Sequence, residues 1–257
     1  MSDARIGPRP LAGKLALVTG GARGLGLEIS RQLAAQGAEV IVAARDGAKA
    51  EAVAAGLRGE GYAARSLKLD VRREDDRQAV YNDLRQSHGF LDILINNAAV
   101  YLDSENAATP APRLASGMPE DLLRATFETN FFAPVFLTQA LLPLLRRSQA
   151  GRIVNLSSIR GSLTHQTDPA SPAYPRAFAY DASKTALNAF TVQLADELRH
   201  TAIKVNAIHP GWVRTKMGSD VADLSLKEGA RTAILYASLP DDGPTGGFFY
   251  LDERLPW

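Results

Sequence analysis

From Lys14 to Val18 the chain is a short apolar run of strand character, which breaks into Thr19-Gly20-Gly21-Ala22-Arg23-Gly24-Leu25-Gly26. Beyond the break, Leu27 to Gln36 has helical periodicity and ends at Gly37, a residue suited to a C-terminal cap. Strand, glycine turn and helix in this order make the opening unit of a parallel sheet. In such a unit the glycines allow positive φ and close backbone approach, and the free N–H groups of the first helical turn face an anion. The spacing here is Gly20, Gly24, Gly26, not the more common Gly-x-Gly-x-x-Gly. A turn that needs glycine only for packing is the plainer alternative. Its place after the first strand favours a dinucleotide pyrophosphate.

The rest of the chain repeats the alternation. Strands are expected near 14–19, 39–44, 65–70, 91–96, 151–157, 203–208 and 247–251, and helices near 25–36, 47–58, 73–87, 119–147, 180–200 and 226–238. Pro134 and Pro143 predict a bend or break in the fourth of these helices. Such alternation implies a Rossmann-type, doubly wound α/β fold: a parallel sheet of about seven strands, right-handed crossovers and helices on both faces. The expected organisation is a loose arm over 1–12 and one domain over 13–257. The ligand of such a sheet lies across the carboxyl ends of the strands, where strand order reverses.

Composition narrows the classes. Apolar residues make up 46% of the 257, enough for a sizeable core, and formal charge is +1, which gives no electrostatic case for nucleic acid or an anionic membrane. Without cysteine there is no disulfide, thiolate metal site or cysteine nucleophile, which fits a reducing, cytoplasmic setting. His88, His165, His200 and His209 show no pairing that suggests zinc, so no metal is expected. No Gly-x-Ser-x-Gly elbow is present, and no apolar run is long enough to cross a bilayer. Asn155-Leu156-Ser157 has the form of a glycosylation sequon but falls in a strand expected to be buried.

Tyr180 and Lys184 stand four residues apart, one helical turn, and share a face. An ammonium about 4 Å from a phenol, at an effective dielectric of about 20, attracts the phenolate by about 4 kcal/mol, or about 3 pKa units. On that reckoning Tyr180 is brought toward neutrality and exchanges a proton with a carbonyl or alcohol oxygen. Tyr81, Tyr101 and Tyr174 lack such a lysine. Taken alone, the pair is more safely read as a surface tyrosine and a solvated lysine; the motifs elsewhere in the chain turn the balance. The second strand ends at Ala44 and is followed by Arg45, where a site selective for NAD usually carries an acid. Arg23 and Arg45 suit a ribose 2′-phosphate, so NADP(H) is favoured over NAD(H), with Asp46 as the dissenting neighbour.

Together these motifs resemble the short-chain dehydrogenase/reductase family in its compact single-domain branch, over nearly the whole chain from Gly13. Thr19, Gly20, Gly24 and Gly26 match the family's cofactor loop, which also includes Arg23 and Leu25. Leu69-Asp70-Val71 matches the segment at the adenine, and Asn96-Asn97-Ala98-Ala99 matches Asn-Asn-Ala-Gly with alanine in place of the final glycine. Asn130 stands where the family has its catalytic asparagine, and Ser158 fits the catalytic serine by its Ser-x-x-Gly spacing. The segment from His209 through Pro210, Gly211, Trp212, Val213, Arg214 and Thr215 matches the one that holds the nicotinamide end. The tail is similar to the carbonyl reductases of the family, which include monomers, whereas other members form homo-oligomers.

The resemblance implies hydride transfer between nicotinamide and a small-molecule carbonyl or alcohol. Tyr180 is then the general acid/base, Ser158 orients the substrate oxygen, Lys184 bonds the nicotinamide ribose and Asn130 holds a proton-relay water. The expected cofactor contacts are Gly20, Arg23, Gly24, Leu25, Gly26, Arg45, Asp70, Val71, Asn97, Tyr180, Lys184, Pro210, Gly211, Val213 and Thr215. Segments 101–117, 162–179 and 214–225 read as substrate-facing loops, with His165, Tyr174, Phe178 and Trp212 either lining the pocket or packing. A non-catalytic NADP(H) sensor and a sugar-nucleotide epimerase or dehydratase are the competing readings; the latter usually carries a longer C-terminal substrate region.

Overall fold

The computed structural model describes residues 10–104, 115–173, 176–218 and 220–257. Among the described residues eight strands form one sheet: β1 (Leu15–Thr19), β2 (Glu39–Ala44), β3 (Ala64–Lys68), β4 (Ile93–Asn96), β5 (Arg152–Leu156), β6 (Lys204–Ile208), β7 (Phe248–Tyr250) and β8 (Glu253–Arg254). Their spatial order is β3-β2-β1-β4-β5-β6-β7-β8, and only the β7–β8 pairing is antiparallel. The expected count of about seven strands misses β8. That strand is two exposed charged residues reached through Leu251 at φ 52°, so it has neither an apolar alternation nor a glycine turn to announce it.

Helices α1 (Gly24–Ala35), α2 (Gly47–Gly59) and α8 (Leu226–Ala237) pack on one face. The other face carries α3 (Glu74–Ser87), α5 (Ala133–Leu145) and α7 (Phe178–Glu197), while α4 (Glu120–Phe127) runs into α5 and α6 (Leu163–Thr167) is a short turn. The central strands β1, β4 and β5 are buried at every position. Their Val, Ile and Leu runs follow from burial on both faces. Polar side chains link the inner elements: Asn96 Nδ2 donates to Asn155 Oδ1 at 2.8 Å and Thr138 Oγ1 at 3.1 Å, and Asn155 Nδ2 donates to Thr191 Oγ1 at 2.9 Å. Asn155, the sequon residue, is therefore fully buried.

The helix expected over 119–147 is interrupted at Glu128–Phe132 by one wide π turn, closed by Ala133 N donating to Glu128 O. Pro134 explains it. A proline there cannot donate to the carbonyl of Asn130, and its ring crowds that carbonyl, so the helix widens by one residue. Pro143, one turn from the C-terminal end of α5, produces no second break. Of the expected arm, residues 1–9 lie outside the described residues, whereas Leu11 is buried and its N–H donates to Gln36 O at 3.0 Å. Among the described residues no helix is long and apolar enough to cross a membrane.

Strand order reverses between β1 and β4, and the carboxyl ends of these two strands are tied together. Thr19 Oγ1 accepts from Asn97 N and Ala98 N, both at 3.0 Å, and Asn97 Nδ2 donates to Thr19 O at 2.7 Å. This knot sets the position of everything that follows.

Candidate active site

The glycine turn lies over the knot. Gly20 and Gly24 have φ of +64° and +52°, and a Cβ at Gly26 would run into Asn97 Nδ2 and Gly20 O. Arg23, extended at φ −164°, precedes α1 and gives its first turn no side-chain cap, and no acid lies in that turn. The first N–H groups of α1, from Gly24 and Leu25 onward, thus point from an uncapped helix end into a cradle that only glycine permits, which fits a pyrophosphate. Thr215 stands near Gly24, 3.9 Å from the place a Cβ would take. The segment Pro210 to Thr215 is held there by Gly211 at φ +83°, by a bridge between Val213 and Leu224, and by Arg214 N donating to Leu224 O at 2.8 Å. Leu224 N in turn donates to Trp212 O at 3.0 Å, so the expected loop 214–225 is closed at its base. Ser219 within it is outside the described residues.

At the end of β2, Arg45 is exposed, as is Arg23, and among the described residues neither makes a contact ion pair. Asp46 is engaged elsewhere: it caps α2, accepting from Lys49 N at 3.1 Å, and pairs with Lys49 Nζ at 3.1 Å. Those bonds hold its carboxyl below the usual range. Asp70 is gripped by Arg72 through both oxygens, at 2.9 and 2.6 Å, with a weaker pull from Arg45. Val71, beside it, is buried and its carbonyl accepts from Arg77 at 2.9 Å.

The chemistry-bearing residues come from three elements. Ser158 follows β5, Asn130 sits in the π turn, and Tyr180 and Lys184 are on α7; all four are at most 9% exposed. The Ser158 side chain lies beside the Tyr180 phenol and favours its ionised form. Ser157 is not available for the same task, because its Oγ donates to Asn188 Oδ1 at 2.6 Å. Lys184 Nζ donates to Leu156 O at 2.7 Å and stands 5.5 Å from the Tyr180 ring centroid. Asn130 Oδ1 accepts from Val100 N at 2.8 Å, while its Nδ2 donates to Val100 O at 2.9 Å and Ser183 Oγ at 3.1 Å. Its side chain therefore braces β4's outgoing loop against α7.

The proton affinities run opposite to the simple pair argument. Burial pushes the Tyr180 phenol up to about 12, against the pull of Arg160 and of the Ser158 side chain, and burial brings Lys184 down to about 7. Only a partly solvated pair would bring Tyr180 down by about 3 units. With both groups desolvated, the penalty on each charged form exceeds their mutual attraction.

Some residues at the site had no local signal. Asp103, 1% exposed, accepts from Ala179 N at 2.9 Å and Tyr180 N at 3.0 Å, and so caps α7 at the tyrosine itself. Arg160 pairs with Asp181 at 2.7 Å, and the Tyr101 ring lies 5.3 Å from that of Tyr180. Only Asp181, next to Tyr180, stood where a reader of motifs would look. Of the expected lining residues, Tyr174 and much of the 101–117 loop lie outside the described residues. His165 Nδ1 is bonded to Ser171 Oγ at 3.1 Å within its own loop, and Trp212 is 46% exposed. That loop contains α6, which is fastened to the C-terminal segment: Trp257 O accepts from Thr164 N at 3.0 Å and Thr164 Oγ1 at 2.9 Å. Among the described residues no cluster of His, Cys, Asp or Glu could hold a metal ion.

Residues 14–225 match the family model described as short chain dehydrogenase. Dehydrogenase/reductase SDR family member 4 of Bos taurus is 34% identical over 206 residues, covering 80% of this chain and 68% of the relative. Carbonyl reductase [NADPH] 1 of Sus scrofa is 30% identical, covering 95% of this chain and 94% of the relative. Among solved structures, the NADPH-bound carbonyl reductase from chicken fatty liver superposes with a TM-score of 0.81 at 26% identity, covering 96% of this chain and 99% of that one. A metagenomic short-chain oxidoreductase in complex with NADP is 30% identical with a TM-score of 0.73, covering 91% and 95%.

Proposed function

The chain belongs to the short-chain dehydrogenase family, among relatives that include carbonyl reductases, and from that premise we propose that it is an NADP(H)-dependent oxidoreductase acting on a small-molecule carbonyl/alcohol pair. The observation that carries the reading is the meeting of Ser158, Tyr180 and Lys184 beside the knot that joins β1 to β4. NADPH, when bound, supplies the hydride; the chain does the rest.

Its pyrophosphate is assigned to the uncapped end of α1 and the cradle of Gly20, Gly24 and Gly26. Arg23 and Arg45 are assigned to the ribose 2′-phosphate, a role supported by their freedom from contact ion pairs among the described residues. Asp46, which would otherwise favour an unphosphorylated ribose, has its carboxyl taken by Lys49. Asp70 and Val71 are assigned to the adenine, Asn97 to the floor of the cradle, and Pro210, Gly211, Val213 and Thr215 to the nicotinamide end.

Ser158 Oγ orients the substrate oxygen, and Tyr180 Oη gives it a proton. A phenol held near 12 keeps its proton at neutral pH, which suits it to donate when hydride arrival makes the carbonyl oxygen alkoxide-like. Lys184, brought down to about 7, exchanges its proton near neutrality and restores the phenol. The Asn130 carbonyl, deprived of its helical donor by Pro134, is the acceptor assigned to the relay water.

Tyr180→Phe tests the reading. With NADPH and a panel of aldehydes, ketones and quinones, turnover is expected to vanish while NADPH fluorescence still reports binding. Wild-type-like rates in that variant would remove Tyr180 as the acid. Tight NADPH binding by the wild type without turnover of any carbonyl would favour a cofactor sensor instead.

A further inference from the structure

We propose, resting on the reading of Tyr180 as proton donor, that Arg160 and Asp181 are positioning residues for the reaction: their ion pair holds the turn carrying Ser158 in register with the helix carrying Tyr180. The contact is forked, with Arg160 Nε donating to Asp181 Oδ1 at 2.7 Å and Nη2 to Oδ2 at 3.3 Å, between side chains 18% and 4% exposed. Asp181 Oδ2 also accepts from Ala177 N at 3.0 Å, so the carboxylate belongs to the start of α7. The backbone N–H of Arg160 donates to Ser158 Oγ at 3.2 Å. One residue thus touches the serine hydroxyl through its main chain and the tyrosine's helix through its side chain.

Neutral bonds already attach this turn to α7. Gln166 Nε2 donates to Arg160 O at 2.7 Å and to Thr185 Oγ1 at 3.2 Å, Thr185 Oγ1 donates to Gly161 O at 3.0 Å, and Asn188 Nδ2 reaches the same carbonyl at 3.1 Å. A desolvated ion pair adds little stability to such an attachment. What it adds is direction, since the fork fixes where Arg160 stands and so where its N–H meets Ser158 Oγ, together with charge at a fixed place. The groups facing the Tyr180 phenol are Arg160, Asp181, Ser158, Tyr101 and Lys184, and Asp103 accepts from the Tyr180 backbone N–H. Of these, the guanidinium pulls the phenol toward ionisation and the Asp181 carboxylate pushes it away. The two halves of the pair therefore act on Tyr180 in opposite directions, so its ionisation reports where both charges stand.

Two readouts test this: the pH profile of kcat/KM for carbonyl reduction, and an ultraviolet difference titration of each protein against the same protein carrying Tyr180→Phe. Arg160→Met is expected to make the Tyr180 phenol harder to ionise and Asp181→Asn to make it easier. In both, kcat is expected to fall about tenfold from misplacement of the Ser158 hydroxyl while NADPH binding is unchanged. Arg160→Lys keeps the charge and loses the fork, so its ionisation should stay in place while kcat falls. Shifts in one common direction, or none, overturn the proposal. Should a single variant fail to melt cooperatively, the double variant R160M/D181N removes both buried charges and decides the matter. Wild-type kcat in that folded protein overturns the proposal, whereas reduced kcat with intact NADPH binding supports it. A wild type that reduces no carbonyl defeats the oxidoreductase reading instead, and the ultraviolet titration still reports on Arg160 and Asp181.

Discussion

Replacing Asp103 by alanine is the most direct test of how the tyrosine is held. Asp103 is 1% exposed, and its oxygens take the N–H groups of Ala179 and Tyr180 at 2.9 and 3.0 Å. The residue before α7, Ala177, supplies no side-chain cap of its own. A hydrogen bond to a charged group contributes about 1.5–3 kcal/mol, and loss of a cap costs about 0.5–2 kcal/mol. Water entering the space left by the carboxylate recovers part of this, so the net loss is set at about 3 kcal/mol. At about 2.1 cal/mol/K per residue, the melting entropy of 257 residues is about 540 cal/mol/K, and Tm falls by about 6 °C. Fraying of the first turn of α7 carries Tyr180 with it, so kcat should drop about tenfold or more while NADPH binding, proposed to centre on α1, persists. Asp103→Asn sets an amide NH₂ against one of the two N–H donors and should recover less than half of the loss. Calorimetry and steady-state kinetics read both effects. A Tm within about 1 °C of wild type together with undiminished kcat for Asp103→Ala would refute the idea that this cap positions the acid.

Arg45→Ala is expected to weaken NADPH binding about tenfold or more while leaving NADH nearly unchanged, as isothermal titration of both nucleotides would show; equal losses would argue against phosphate recognition there. Lys184 gives a pH dependence with a definite sign. Its folded value of about 7 lies below the 10.5 of the unfolded chain, so burying it opposes folding fully below pH 7 and ceases to do so above the unfolded value. Urea unfolding of the ligand-free protein should therefore show stability rising between pH 7 and 10, by up to about 4 kcal/mol. In Lys184→Met that rise should disappear, and a rise of equal size in the variant would assign it to another group.

Much of the fold is legible in the linear chain. Apolar runs separated by helical periodicity, with a glycine turn after the first strand, place seven strands and the parallel crossovers, because burial of a strand on both faces leaves a continuous apolar signal. Motif spacing likewise places Ser158, Asn130, Tyr180 and Lys184 on the elements where they are found. The wide turn at Glu128–Phe132 is half legible: Pro134 announces a defect, but its form and its location at Asn130 need the helix to be built. β8 is not legible, since two exposed charged residues carry no periodicity.

The chain by itself determined the sheet, the glycine cradle and the order of the candidate site residues, because each depends on local periodicity or on spacing along one element. Tertiary structure alone decided three matters. It brought Asp103 to the start of α7 across 77 positions, it joined Arg160 to Asp181, and it excluded water from Tyr180 and Lys184. The last of these reversed the direction expected for the phenol. A neighbour one helical turn away can be read from sequence, but the dielectric between the two side chains depends on everything packed around them.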